Sequence, residues 1–364
     1  MVATIGCAAP ASHAAEATAA DKLPISRIKL PPGFKVEVFA SGVPDARSLR
    51  EGERGTVFVS SRSAGKIHAI VETDGKRQLK VVASGLNVPN GIALHDGALY
   101  VATISEITRY DAIESRLDDP PRPVTVYDKL PGERAHGWKF IAIGPDNKLY
   151  VPVGAPCNVC EPPPGYAQIR RMNLDGSGVE VIAEGVRNTV GFDFDPRDGS
   201  LWFTDNGRDW MGDDQPDDEL NHLTQPGRQH FGFPFCHQGM LPDPQFGRGK
   251  NCAEFAQPAQ LLGPHAAALG MRFYTGSMFP MKYRGAIFIA RHGPWNRSQK
   301  FAADVVVALP DGKGGFSTIE PFLSGLVENN AFLGRPVDVL VRKDGSLLVS
   351  DDFNGAVYRI SYGP

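Results

Sequence analysis

"RNTVGFDFDPRDGSLWFTDNGRD", residues 187–209, alternates apolar and polar positions twice, in GFDF and again in SLWF, around a short stretch of Asp, Pro and Gly. That pattern reads as two strands joined by a tight turn. The ends of this hairpin carry Arg187 and Asn188 on one side and Asn206, Gly207, Arg208 and Asp209 on the other. Because a hairpin returns its ends to one edge of a sheet, these groups are expected on one face of the molecule.

The second strand of the hairpin is one copy of a repeated phrase. "GTVFVSS", "GALYVAT", "NKLYVPV", "GSLWFTD", "GAIFIAR" and "GSLLVSD" start at positions 55, 97, 147, 199, 285 and 345, at intervals of 42, 50, 52, 86 and 60 residues. A four-stranded propeller blade needs roughly 40 to 50 residues, so six copies at this spacing predict six blades, with insertions in the longer intervals. Before each copy a loop of small residues leads into an apolar strand, as in "SGLNVPNGIAL" and "EGVRNTVGFDF". The unit is therefore loop, inner strand, turn, second strand. The last unit supplies three clear strands, while an unpaired strand, "FKVEVF", stands at 34–39. We expect an all-β, six-bladed β-propeller of four-stranded blades over residues 22–364, its last blade closed by the N-terminal strand so that no sheet edge is left open.

Composition sets outer limits. The chain has 364 residues, 42% of them hydrophobic, and a formal net charge of -3. No global basic field is present to gather nucleic acid or an anionic membrane, and no apolar run is long enough to span a bilayer. Residues 1–21 are Ala-rich without Lys or Arg, and "SHA" precedes Ala15 in the manner of a cleavage site. They read as a secretory signal and imply a periplasmic or secreted protein, with a disordered tail as the alternative. Cys7 falls in that segment, which leaves Cys157, Cys160, Cys236 and Cys252. Two disulfides, Cys157 with Cys160 and Cys236 with Cys252, are expected in an oxidising compartment; a zinc site is the less favoured alternative, because the second pair lacks knuckle spacing.

In a four-stranded blade the loop entering the inner strand and the loop leaving the second strand open on the same face, around the central channel. Entering loops bring Arg47, Asn90, His136, Arg187 with Asn188, His265 and Arg335. Leaving loops bring Arg62, Cys157 with Cys160, Gly207 with Arg208, Arg291 with His292, and Asp351 with Asp352. Cations gathered around a narrow mouth repel one another unless an anion sits between them, and the guanidinium fork matches carboxylate or phosphate. The rim is expected to bind a polyanion. No dinucleotide or P-loop glycine motif, no nucleophile elbow and no haem-attachment motif occurs.

At these loops the sequence resembles the soluble quinoprotein sugar dehydrogenases, six-bladed propellers that use pyrroloquinoline quinone (PQQ), and especially their sorbosone dehydrogenase branch. The resemblance runs from about Leu30 to the C-terminus and is carried by "HGWKFIAIGPDNKLYVPVG" (136–154), residues 185–209, "DDELN" (217–221), "FIARHGPWNRS" (288–298) and "GRPVDVLVRKDGSLLVSDD" (334–352). It implies that His136 is the base that takes the sugar C1 hydroxyl proton while hydride leaves to PQQ. It places Arg187 and Asn188 on the polar edge of the quinone, Arg335 on a carboxylate, His265 as a hydrogen-bond donor to the cofactor, and Arg291 and His292 near a cofactor-binding cation. It assigns the main-chain carbonyls of Gly207 and Arg208 to Ca²⁺, which accepts such oxygens readily.

Three positions depart from the family pattern. Ala155 stands where a carboxylate orients the base, Val337 replaces a second Arg, and Gly263 replaces an aromatic wall, leaving Trp138, Trp210 or Trp295 as substitutes. The implied activity is PQQ- and Ca²⁺-dependent oxidation of an aldose or a related sugar aldehyde, with a small-molecule sugar as substrate, an external electron acceptor as partner, and a monomeric or homodimeric state. Two other classes stand beside it: a calcium-dependent lactonase or esterase propeller, which needs acid and Asn ligands deep in the channel, and a non-catalytic propeller that binds glycan or protein through the same face.

Overall fold

Each copy of the recurring phrase is the second strand of a four-stranded antiparallel sheet in a computed structural model that describes residues 23–363. The signal-like segment with Cys7 lies outside the described residues. Strand order is sequential in the first five sheets: Ala46–Glu51, Val57–Ser61, Lys66–Thr73 and Lys76–Ala83 make blade 1, and blade 2 starts at Ile92–His95. Blade 3 contains Ala142–Ile143 and Leu149–Val153, blade 4 Gly191–Phe194 and Leu201–Asp205, and blade 5 Ala268–Phe273 and Ile287–Arg291. In blade 6, Pro336–Val341, Leu347–Asp351 and Ala356–Tyr362 are completed by Phe34–Ser41. That N-terminal strand pairs with Ala356–Tyr362 from Phe34 opposite Tyr362 to Ser41 opposite Ala356. The architecture is the expected six-bladed propeller with its ring closed by the two chain ends.

Why the second strands stand out in the sequence is visible in their burial. Val57–Ser61, Ala98–Ala102, Leu149–Val153, Leu201–Asp205 and Leu347–Asp351 are buried at every position. A strand covered by neighbouring blades on both faces must be apolar on both, so it loses the simple alternation of a half-exposed strand. Six hydrophobic clusters lie one at each blade interface. Between blades 1 and 2, for example, Phe58 and Ile67 meet Ile92 and Leu99; at the closure, Leu49, Val57 and Val59 meet Phe39, Leu340, Leu348 and Val357. Each such buried side chain contributes about 1.5–3 kcal/mol relative to exposure. Near the axis the inner strands come closer still. A Cβ on Gly191 would lie 2.1 Å from the Leu269 carbonyl oxygen of the next blade, and one on Gly91 would lie 2.4 Å from the Lys139 carbonyl oxygen. Glycine is required there by contact between main chains.

The long intervals are insertions. Between Asp217–Leu223 and Gln260–Pro264 of blade 4 the chain makes an excursion with a small ribbon, Cys236–His237 paired to Leu241–Pro242, closed by the Cys236–Cys252 disulfide. A second ribbon, Val327–Glu328 with Ala331–Phe332, lengthens the path into blade 6. Cys157 and Cys160 also form a disulfide. With all four cysteines paired, no thiolate remains among them for the zinc alternative. No helix of the described residues is long and apolar enough to cross a membrane.

Candidate active site

The aspartates that end two of the repeated phrases hold the rim in place. Asp205, last residue of "GSLWFTD", accepts the Arg187 amide at 2.8 Å and the Asn188 amide at 2.6 Å. Asp351, last residue of "GSLLVSD", accepts the Arg335 amide at 2.9 Å. The leaving loop is fixed by the same device, since Asp218 accepts the amides of Gly207 at 2.9 Å and Ala268 at 3.0 Å. Burial pushes the Asp205 carboxyl up to about 6 and the Asp218 carboxyl up to about 7, against the hydrogen bonds that favour their ionised forms. A carboxylate at the second strand thus aims the main chain of the loop beside it, and with it the side chain that faces the channel.

These loops surround a cavity of about 320 Å³. Its wall includes Arg47, Arg62, Arg187, Arg335, His136, His265 and His292, together with Asn188, Gly207 and Trp138. Residues from five of the six blades converge there, blade 2 and its Asn90 excepted, with carboxylates only from Asp209 and Asp218. Arg187 is the most heavily bonded. Its Nε donates to the Asn158 carbonyl at 2.8 Å and its Nη2 to Asn158 Oδ1 at 2.9 Å. Its Nη1 donates to the carbonyls of Asn206 at 3.0 Å and Gly207 at 2.7 Å, and Nη2 pairs with Asp209 at 3.4 Å. Arg47 is buried and pairs with Asp352 at 2.8 Å, yet its Nη2 has no hydrogen-bond partner. Arg335 donates only to two carbonyls, His292 at 3.0 Å and Gly293 at 2.7 Å. Burial depresses both Arg47 and Arg335, and like charges around them add to this. An anion in the cavity would relieve that cost.

His136 sits in the left-handed backbone region at φ 48°, as does His265 at φ 55°; non-glycine residues there carry strain that recurs at functional sites. Its Nδ1 lies 2.8 Å from the carbonyl oxygen of Ala155. A carbonyl only accepts, so Nδ1 carries the proton and Nε2 is left with a free lone pair. Ala155 is in turn tied through its amide to the Arg187 carbonyl at 2.8 Å. Burial, then the Arg187 charge, lowers the His136 pKa to about 3, which keeps the imidazole neutral at ordinary pH. His292 is lowered to about 4 by burial although Asp352 lies 2.8 Å from its Nε2.

His136, Arg187, Asn188, Gly207, His265, His292 and Arg335 therefore share one cavity. Two of the expected ring cations point elsewhere. Arg208 turns under the rim to pair with Asp243 at 2.7 Å, beside His237. Arg291 is held by Asp304 at 2.6 Å and donates to the Leu262 carbonyl at 3.0 Å. At the position of the missing aromatic wall, a Cβ on Gly263 would meet the Phe301 ring at 3.3 Å. Val337 packs with Val190, Leu269 and Trp138 as apolar floor. Sequence reasoning missed Asn158, whose place between the two cysteines of "CNVC" fixes it against Arg187, and Asn296, which lines the mouth.

A family model described as TrAA12-like matches residues 28–363. An uncharacterised protein from Borreliella burgdorferi is 33% identical over 351 residues, covering 93% of this chain and 91% of that protein. A pyrroloquinoline quinone-dependent pyranose dehydrogenase from Coprinopsis cinerea is 24% identical over 400 residues, covering 90% of this chain and 54% of the dehydrogenase. The chain thus spans about half the length of that relative. Among solved structures, the holo form of the PQQ domain of the Coprinopsis cinerea pyranose dehydrogenase superposes with a TM-score of 0.79 at 22% identity, over 92% of this chain and 97% of that one. The calcium structure of a Trichoderma reesei family AA12 enzyme gives a TM-score of 0.76 at 18% identity, over 92% and 97% of the two chains.

Proposed function

The chain belongs to the TrAA12-like family, and on that premise we propose that it is a PQQ-dependent sugar dehydrogenase oxidising an aldose or a related sugar aldehyde, of the glucose or sorbosone type. The observation that carries this reading is the gathering of four guanidinium groups around one cavity with only two carboxylates in its wall. The unpartnered Nη2 of Arg47 and the carbonyl-only Arg335 supply donors that a polycarboxylate would satisfy. On these grounds the residues fit PQQ. Arg335 and Arg47 would hold carboxylates, Asn188 the quinone edge with Arg187 fixing the loops around it, and His265 and His292 the remaining polar rim.

When bound, PQQ supplies the hydride acceptor. This chain's own residues do the rest. His136 Nε2 takes the proton of the C1 hydroxyl as hydride leaves C1, and the Ala155 carbonyl keeps the ring in the tautomer that can do so. The guanidinium groups concentrate positive charge where the acceptor gains electrons. An external electron acceptor then removes the two electrons. The two disulfides support a periplasmic or extracellular setting for this chemistry.

Calcium, which the resemblance also implies, does not find an open site. The Gly207 carbonyl expected to bind it accepts from Arg187 at 2.7 Å, and no group of three metal-binding side chains occurs among the described residues. Arg187 is the resident cation at that carbonyl. The test titrates apoprotein with PQQ in chelator and in calcium, then follows reduction of an artificial acceptor with sugars. A stoichiometric quinone absorbance shift, equal in both buffers, is expected, with His136→Gln lowering kcat about 10²–10⁴-fold and leaving PQQ bound. Absence of PQQ binding overturns the function, undiminished turnover removes His136, and a tenfold weaker shift in chelator gives calcium the Gly207 carbonyl.

A further inference from the structure

Four tryptophans occur in the chain, and they divide into two kinds. Trp202 is buried and stacks on His222 at 4.1 Å, and Trp138 lies under the Arg62 guanidinium at 4.8 Å. Trp210 and Trp295 are 67% and 66% exposed. These two meet edge to face, with ring centroids 5.3 Å apart and planes at 88°. Trp295 lines the cavity mouth beside Pro294 and Asn296. Large exposed indoles leave apolar area in water, and nothing in the packing requires them to be there.

We propose that Trp210 and Trp295 form a stacking platform for a sugar ring outside the cavity, so that the substrate is an oligosaccharide whose end residue enters while its neighbour rests on the indoles. This rests on the reading of the cavity as a sugar-oxidising site. At two-thirds exposure each indole keeps an open π face, and the axial C–H face of a pyranose carries the partial positive charge that such a face attracts. The platform is held before any ligand arrives. Asn296 Nδ2 donates to Asp209 at 2.9 Å, Arg297 pairs with Asp214 at 3.2 Å, and the Ser298 amide donates to Asp213 at 3.2 Å. His265 Nε2 donates to the Gly212 carbonyl at 2.8 Å, and Trp210 is kept in left-handed backbone at φ 69°. These bonds tie the leaving loops of blades 4 and 5 to each other.

The chemistry of the surroundings selects the ligand. Charges next to the indoles already have partners, Arg297 with Asp214, Asp209 with Arg187 and Asp213 with Ser298, so an ionic ligand gains little there. One acceptor, Asn296 Oδ1, is buried without a partner, and a sugar hydroxyl is a donor of the right size for it. At about 320 Å³ the cavity is also near the lower end of the roughly 300–1,000 Å³ usual for ligand sites, so a second sugar ring belongs outside it.

Calorimetry of the apoprotein tests this without the redox reaction. Cellohexaose, xylohexaose and maltohexaose are titrated against glucose and xylose. At least one hexasaccharide is expected to bind tenfold or more tightly than its own monosaccharide, with Trp210→Ala and Trp295→Ala each removing most of the advantage and Trp295→Phe keeping most of it. Equal affinity for long and short sugars, flat isotherms with all three hexasaccharides, or an alanine variant that keeps the preference overturns the platform. Since apoprotein is used, a protein that stacks hexasaccharides but never binds PQQ refutes the dehydrogenase reading and leaves the platform standing.

Discussion

The two flanks of the cavity present the same side chain in opposite states. On the flank built by blades 3 and 4, Arg187 is saturated, with donors to Asn158, Asn206, Gly207 and Asp209. On the flank built by blades 6 and 1, Arg335 donates only to the His292 and Gly293 carbonyls and lies over the Phe332 ring at 4.6 Å, and Arg47 keeps an unpartnered nitrogen. A guanidinium that is fully bonded positions its neighbours; one that is underbonded waits for a ligand. The difference teaches that equal residue type does not mean equal role, because the count of satisfied donors decides where an incoming anion gains most.

The largest expected effect breaks the first flank. Arg187→Ala leaves Asp209 and the Asn158, Asn206 and Gly207 oxygens without their cation, and breaking a buried charge pair costs about 3–5 kcal/mol. Urea unfolding is expected to show a loss of that order together with loss of PQQ binding; a variant as stable as the parent would mean that Arg187 is held for a ligand and not for the fold. The second flank predicts the reverse. Arg335→Ala removes a hydrogen bond to a charged ligand, about 1.5–3 kcal/mol, or roughly 10- to 100-fold in PQQ affinity, with the unfolding midpoint nearly unchanged. Should Arg335→Ala lower stability as much as Arg187→Ala, the two flanks are alike and the contrast fails.

How much of this was legible beforehand follows from the range of the forces involved. The rim was readable because a repeat fixes topology, and topology fixes which loops share a face; no side-chain geometry was needed to bring His136, Arg187 and Arg335 together. Side-chain direction was not readable. Arg208 follows Asp243, a residue in the insertion 35 positions away, and Arg291 follows Asp304 on the adjacent strand. Nothing in the local pattern of either arginine announces those partners. Ala155 shows a different limit: read as a side chain it is a missing carboxylate, whereas its main-chain carbonyl still orients His136 at 2.8 Å. Sequence comparison records side chains, and the bond that holds His136 here comes from the backbone.

The smallest effect sharpens the comparison at the level of single protons. His136 faces a carbonyl through Nδ1, whereas His292 faces the Asp352 carboxylate through Nε2 at 2.8 Å. Both partners accept, so the two rings carry their protons on opposite nitrogens, and only His136 leaves Nε2 free to act as a base. Burial lowers His136 to about 3 and His292 to about 4, below the ordinary imidazole value near 6.5. Protonation is thus linked to unfolding. As pH falls from 6.5, the unfolded chain binds protons that these folded imidazoles refuse, so their contribution to stability is complete above 6.5 and declines below it. In ¹⁵N spectra of the apoprotein, His136 is expected as the Nδ1–H form and His292 as the Nε2–H form, both unchanged from pH 8 to pH 5. A His136 signal that carries its proton on Nε2 would leave the cavity without a free Nε2 base on either flank, and one that titrates near 6.5 would mean that burial does not hold the ring neutral.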